Sequence, residues 1–417
     1  MKRIEGTALS LQAMKHLEKI NKVDVLVGIP SFNNAHTINY VVYQAAKGLE
    51  SYFPESDSAI FVSDGHSTDG TLATVKALKF PYQVKVILAN YVGLPGKGSA
   101  VRAIFEAARL LQAKAVALVD SDLRSITPEW INLLLSPALH NTDLVTPFYV
   151  RDKYDATITN FLCYPMTVSL YRRAIRQPIG GDFGLSIQLV RELLKSPLWQ
   201  TPYIHGFGID IFETHTALAK GFQVRQAFLG TKTHEIKDPS KHLAPMFRQV
   251  VGSMFSCVEH YEAAWTRVEK QQKVDTVGET DYSPTPEPIT IKVHSLVDTY
   301  RSNFLSNKKV YRAVLPNSLL EEFKKLKKQK ADDFFISSEI WAKSVYSFAA
   351  HFKDLELPKR EELLEAFRIL WIGRVASYIN ETRYLTTSEA GSKIEEEAET
   401  FLKLRSFLVN AFCEDAG

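Results

Sequence analysis

Cysteine is scarce: Cys163, Cys257 and Cys413 are the only three in 417 residues. They are widely scattered, form no metal-type CxxC pair and leave one over. This argues against a disulfide framework or a cysteine-held zinc, and points to reduced thiols in a cytoplasm-like compartment. Long apolar runs are also missing. No uninterrupted stretch of about 18 apolar residues occurs, so no transmembrane segment is expected. The opening MKRIEGTALSLQAMKHLEKINK has neither a long apolar core nor a cleavage site and reads as a short amphipathic helix. The expectation is a cytoplasmic protein. A formal net charge of +3 is too small an excess to argue for nucleic acid or an anionic membrane as partner. There is no internal repeat. Two phosphate-binding signatures are absent as well: GxxxxGK[ST] is not met, and no GxGxxG follows the first strand, which counts against a dinucleotide-binding domain.

What is present begins with ordinary globular composition, 45% hydrophobic and 23% charged, in a chain long enough for a main domain and a smaller one. From Val23, β-branched runs alternate with helical patterns. VDVLVGIP, AIFVSDG, YQVKVILA and AVALVDSD read as strands. HTINYVVYQAAKGLE, TLATVKALK and SAVRAIFEAARLLQA read as the helices between them. Repeated β-α-β-α predicts an α/β fold with a parallel sheet covered by helices, and ligands collecting beyond the carboxyl ends of the strands. Past Leu144 the pattern is less regular: a strand LVTPFYV, a helix-like TITNFLCYPMTVSLYRRAI, a PIGGDFGLS turn, a helix SIQLVRELL and a strand FQVRQAFLG. The domain reading is an N-terminal helix at 1–22, a main domain at 23–270, a polar, proline-rich linker at 271–289 and an α-helical C-terminal domain at 290–417.

The polar motifs sit at strand ends. The first strand closes on GIPSFNN, with Pro30 and Ser31 in its turn. The second closes on SDGHSTDGT, where Asp64 leaves the sheet at the ligand edge and can accept from a nucleobase N–H, while Asp69 suits a helix cap. The third leads into GLPGKGSAVRA, which puts glycines on both sides of Lys97 just before a helix. That offers close backbone approach, an anion-favouring helix end and a mobile cation. The fourth ends in Asp120-Ser121-Asp122. Strand alternation sends both carboxylates to one side. Two carboxylates side by side raise each other's pKa unless a cation lies near, and a divalent cation shared with substrate phosphates meets that need.

In this order the motifs resemble those of retaining, nucleotide-sugar-dependent glycosyltransferases of the GT-A fold, specifically the synthases that make glucosyl- or mannosylglycerate and their 3-phosphoglycerate forms. PGKGSAV, ALVDSDLRSITPEWI, QPIGGDFGLS, GFGIDIFETHTALAKG and LGTKTHEIKDP carry the resemblance, which runs from about Val23 to Phe255. It implies a GT-A Rossmann-like sheet with an α-helical C-terminal domain. By the same resemblance, Pro30, Ser31, Asp64, Lys97, Asp120, Ser121 and Gly181 contact the sugar nucleotide. Asp122 and His234 hold Mg²⁺ or Mn²⁺. Asp182, in the Gly180-Gly181-Asp182 turn, lies at the sugar, Asp210 lies near both sugar and acceptor and binds the acceptor, and Lys97, Asp182 and Asp210 form the catalytic set.

The acceptor region departs from the phosphoglycerate-using pattern. RDKYDATITN stands where those relatives carry a Gly-rich loop with an arginine, and Thr157 falls at that arginine's position. R…DAxIT resembles the D-glycerate-using enzymes instead, with Arg151 and Thr159 on the acceptor carboxylate, a match for an arginine fork. Asn34, where many phosphoglycerate-type relatives have glutamate, bears on nucleotide preference. The expected reaction is transfer of glucose or mannose to D-glycerate, giving a compatible-solute type of product. The alternatives are a 3-phosphoglycerate acceptor and a sugar-nucleotide-binding regulator without turnover. A nucleotidyltransferase would share the sheet and the metal, but GIPSFNN lacks the Gly-rich signature usual at that strand end. UDP-, GDP- or ADP-glucose and GDP-mannose all stay open as donors, as does the oligomeric state, a homodimer included.

Overall fold

The computed structural model describes residues 6–79, 82–233, 243–281 and 285–413. The β-branched runs become strands as the alternation predicts: β1 (Val25–Ser31), β2 (Ser58–Asp64), β3 (Lys85–Asn90) and β4 (Ala115–Leu118). Then follow β5 (Leu144–Val150), β6 (Phe183–Ser186), β7 (Val224–Thr231) and β8 (Thr276–Val277). They form one sheet in the order β3-β2-β1-β4-β6-β5-β7-β8. The first unit's helices are α1 (Leu11–Ile20), α2 (Ile38–Tyr52), α3 (Thr71–Ala77), α4 (Lys97–Leu110), α5 (Pro128–Leu139), α6 (Ile187–Lys195) and α7 (Ile209–Ala219). One core packs Val25, Val27, Ile29, Ile60 and Val62 of the sheet against Val41, Ala45, Trp130 and Leu134 of the helices, all buried. Each valine, isoleucine or leucine among them contributes about 1.5–3 kcal/mol by leaving water.

The sheet is not all parallel. β6 runs antiparallel to both β4 and β5, while the other pairs are parallel. Compactness explains this. One unit comprises Met1–Val150, Gln177–Glu235 and Val274–Pro286, and the other Arg151–Arg176, Ile236–Lys273 and Glu287–Gly417. The chain leaves the sheet at the carboxyl end of β5 and comes back to that same edge at Gln177, whose Nε2 donates to the Tyr149 carbonyl at 3.1 Å, before β6 starts at Phe183. The returning strand therefore has to run the opposite way. The proline-rich stretch after Gln271 contributes β8, which pairs with β7 through Gln226↔Thr276 and Ala227↔Val277.

The second unit is helical. Its longest helix, Leu357–Thr382, is buried along most of its length. Trp341 stacks on Phe367 at 5.4 Å, and Phe247 lies 4.9 Å from Trp371. Helix Thr387–Lys403 begins with a capping box between Thr386 and Glu389, which satisfies two otherwise orphaned N–H groups. Among the described residues no helix is long and apolar enough to cross a membrane.

Candidate active site

The carboxyl ends of β1, β2, β4, β5 and β7 and the start of β6 meet at one edge of the first unit, because Ser31 pairs with Asp64, Leu118 with Phe183 and Val150 with Thr231. Polar side chains tie the turns along this edge together. Asp64 is buried and accepts from Ser31 Oγ (2.8 Å), Ser67 Oγ (2.6 Å) and Ser67 N–H (2.7 Å). It thus staples the β1 turn to the β2 turn. Asn33 reinforces the staple: its N–H donates to Ser67 Oγ and its Oδ1 accepts from Thr68 N–H. Asp69 accepts from Ala35 N–H and from Thr71 N–H in the first turn of α3, the capping role its position suggests. Ser121 joins a third turn, donating to Asn34 Oδ1 (2.7 Å) while its carbonyl accepts from Thr37 Oγ1 (2.8 Å). Pro30 is buried within β1 opposite Ser63. Phe32 stands out from this stapled floor at 62% exposure.

Next to the floor lies a cluster of lysines and carboxylates. Lys97 Nζ reaches Asp120 Oδ1 at 2.8 Å and Asp210 Oδ1 at 3.3 Å. Lys232 Nζ reaches Asp120 Oδ2 at 3.1 Å, Asp182 Oδ2 at 2.8 Å and the Gly180 carbonyl at 2.6 Å. The Asp120 N–H donates to Asp182 Oδ1 at 2.8 Å, and the Tyr149 hydroxyl donates to Asp182 Oδ2. Lys232 also lies 5.0 Å from the centre of the Tyr149 ring, a favourable cation–π distance. Burial would raise the Asp120 carboxyl, but Lys97 and Lys232 outweigh it and hold the group well below the usual range. Burial opposes charge on Lys97 too, and Asp120 and Asp210 overcome it, so its pKa lies above the ordinary lysine value. Asp182 goes the other way: burial dominates, Asp120 adds to it, and its pKa is raised despite Lys232.

Close backbone approach makes the cluster feasible. Gly181 has φ +87°, and a Cβ there would sit 1.9 Å from Asp120 Oδ2. A Cβ at Gly98 would sit 1.7 Å from the Ile204 carbonyl oxygen. The PGKG turn therefore packs directly on 204–206, with Gly98 N–H bonded to Gly206 O and Ser99 N–H to His205 O. That contact brings the segment before α7 alongside the start of α4, and Asp210 within reach of Lys97.

Two expectations are corrected. β4 ends at Leu118 and residues 119–125 lie outside any strand, with a turn at 121–122, so strand alternation does not govern Asp120 and Asp122. Asp120 enters the lysine cluster, whereas half-buried Asp122 makes neither lysine bridge. The charge that relieves Asp120 is thus a pair of ammonium groups. The second correction concerns Lys97, expected as a mobile cation: it is largely enclosed and bridges two carboxylates.

His234 lies outside the described residues. The chain just before it is anchored near Asp122: Arg124 N–H donates to the Thr233 carbonyl at 3.1 Å, and Thr233 N–H donates to Ser125 Oγ at 3.0 Å. Among the described residues no three His, Cys, Asp or Glu side chains gather as a metal centre. A hard dication completed by diphosphate oxygens needs only one or two protein carboxylates, and Asp122, outside the lysine bridges, fits that role. Arg151 and Thr159 belong to the second unit. Arg151 pairs with Asp155 at 3.1 Å, and Thr159 is buried at the start of a π-turn, Thr159–Cys163, a distortion frequent at functional sites. Within electrostatic reach of Arg151 lies Arg176, which donates to Asn160 Oδ1 at 3.0 Å.

Sequence reasoning missed Lys232, Tyr149 and Arg176. Lys232 had one signal in the sequence, its place two residues past the predicted strand FQVRQAFLG, at an end where ligands collect. Tyr149 reads as a core aromatic until β5 is placed beside β6.

Residues 26–184 match the family model described as glycosyl transferase family 2, and they lie in a mixed α/β sheet of GT-A type followed by a helical C-terminal region. More particularly, the chain is distantly related to a mannosylglycerate synthase of Selaginella moellendorffii, 26% identical over 156 residues, 35% of this chain and 35% of that protein. The match thus spans about a third of the curated relative. Among solved structures, glucosyl-3-phosphoglycerate synthase from Mycobacterium tuberculosis in complex with phosphoglyceric acid is 23% identical, covering 58% of this chain and 83% of the other, with a TM-score of 0.44. The same enzyme in complex with Mn²⁺, uridine diphosphate and phosphoglyceric acid is 24% identical over 58% and 82%, with a TM-score of 0.44.

Proposed function

We propose that the protein is a retaining glycosyltransferase that moves glucose or mannose from a nucleoside diphosphate sugar to D-glycerate. The observation that carries this reading is the lysine–carboxylate cluster at the carboxyl edge of a family 2 glycosyltransferase sheet. The stapled β1 and β2 turns offer the base and ribose a rigid floor, with Phe32 exposed for stacking. Lys97 is a compact charge shared between two carboxylates, and a diphosphate oxygen competes for it directly. There it stabilises negative charge as the sugar–phosphate bond breaks. Asp120 and Asp182, oriented by Lys232 and Tyr149, accept from ribose and sugar hydroxyls. Asp210 orients the acceptor hydroxyl, whose proton passes to the departing phosphate oxygen on the same face of the sugar. Asp122 and His234 are the residues for Mg²⁺ or Mn²⁺, which would neutralise the diphosphate leaving group.

Arg151 and Thr159 are proposed to hold the glycerate carboxylate. A second reading, 3-phosphoglycerate as acceptor, draws on Arg176: a second arginine within electrostatic reach of Arg151 suits a more highly charged anion. Purified protein assayed with UDP-, GDP- and ADP-glucose and GDP-mannose against both acceptors separates the two by kcat/KM. Preference for glycerate supports the first reading and preference for the phosphorylated acid the second. Absence of both transfer and donor hydrolysis across the panel sinks the enzymatic proposal in favour of a sugar-nucleotide-binding regulator.

A further inference from the structure

Glu213 touches no reacting group in that scheme, and its setting is unusual for a carboxyl group. It is fully buried, and neither carboxyl oxygen has a hydrogen-bond partner among the described residues. It lies on α7 three residues after Asp210, so the two acids share one helix face. The charged groups that act on it are Asp210 from its own helix and Lys97 from α4. The next residue is engaged elsewhere, with Thr214 Oγ1 donating to the Pro178 carbonyl at 2.7 Å.

An ionised carboxylate in this position would lack both solvent and donors, a far larger penalty than that of a neutral acid. It would also add a further negative charge beside Asp210, which is bridged to Lys97, a lysine already shared with Asp120. We infer that Glu213 is a positioning residue: a carboxylic acid kept neutral in the folded protein, backing Asp210 without competing for Lys97, so that the Asp120–Lys97–Asp210 bridge keeps its geometry. Burial and Asp210 both push the Glu213 carboxyl well above its ordinary value, and Lys97 opposes them only in part. The role assigned here rests on the proposed use of Lys97 and Asp210; the protonation state does not.

The test uses the full chain with Glu213→Gln, a neutral near-isostere, and Glu213→Met as second variant. In the unfolded chain Glu213 ionises near its ordinary value, so between that pH and its raised folded value the unfolded state binds fewer protons and wild-type stability falls as pH rises. Glutamine removes this term. The melting temperature of Glu213→Gln relative to wild type should therefore climb from pH 5 to pH 8, and the infrared difference spectrum at pH 7 should show loss of a protonated carboxyl band. Donor turnover by Glu213→Gln should stay within about threefold of wild type at pH 7 and decline less on the alkaline side. A melting difference that is flat with pH, loss of carboxylate bands instead, or failure of both variants to fold overturns the inference. The first two readouts need no turnover, so they stand even if the glycosyltransferase reading fails.

Discussion

Both units bury ion pairs, and they build them differently. In the helical unit Arg374 is 2% exposed, and each of its three guanidinium nitrogens is hydrogen-bonded. It bonds Glu397 through Nη2 at 2.5 Å, Glu381 through Nη1 at 2.6 Å and Ser377 at 3.2 Å, and lies over the Phe161 ring at 5.3 Å. Ser338 donates to Glu397, and Ser377 to Glu381. A planar fork holding two carboxylates and a serine at once defines one geometry. In the sheet unit the cations are lysines, point charges on flexible stems, each divided between two carboxylates at a partly open edge. The first network fixes helices. The second can be redistributed when a new anion arrives.

That contrast can be broken at several points. Arg374→Met should cost about 3–5 kcal/mol of stability by stranding Glu397 and Glu381, read by denaturant unfolding. Replacing all three residues by apolar ones of similar volume should recover most of the loss. Lys97→Ala should lower kcat/KM about 10²–10³-fold, with a smaller change in melting temperature than Arg374→Met, because Asp120 keeps Lys232. Equal destabilisation by the two variants would erase the distinction between them. Gly181→Ala sharpens the geometry: a side chain at φ +87° against Asp120 should cost about 1–3 kcal/mol and displace Asp120, weakening donor binding in a titration with UDP. Ser31→Ala is the mildest, removing one of three bonds to Asp64 for about 1 kcal/mol, with a modest rise in donor KM.

Much of the sheet unit was legible because its signals are local. β-Branched runs, turn glycines and polar strand ends mark β1 to β4 and the motifs beyond them. Asp182 and Asp210 were identified by resemblance, and the cluster brings both within one lysine of Asp120. The reversal of β6 was not legible, since direction depends on where a 26-residue excursion, Arg151–Arg176, returns to the sheet. Glu213 was hidden for a related reason: on paper it is an acid in an amphipathic pattern, and only packing shows that it has no solvent.

The sequence by itself determined the α/β character of the sheet unit, the strand-end motifs of β1 to β4 and the helical character of the C-terminal region, because period, turn chemistry and strand-end motifs act over a few residues. The tertiary structure decided which charges meet. Lys232 follows Asp120 by 112 residues and balances it only because β7 and β4 end at one edge. Asp122, two residues from Asp120, stays outside the bridges because the strand stops at Leu118. Electrostatic partnership depends on distance in space, which strand order and close backbone approach set.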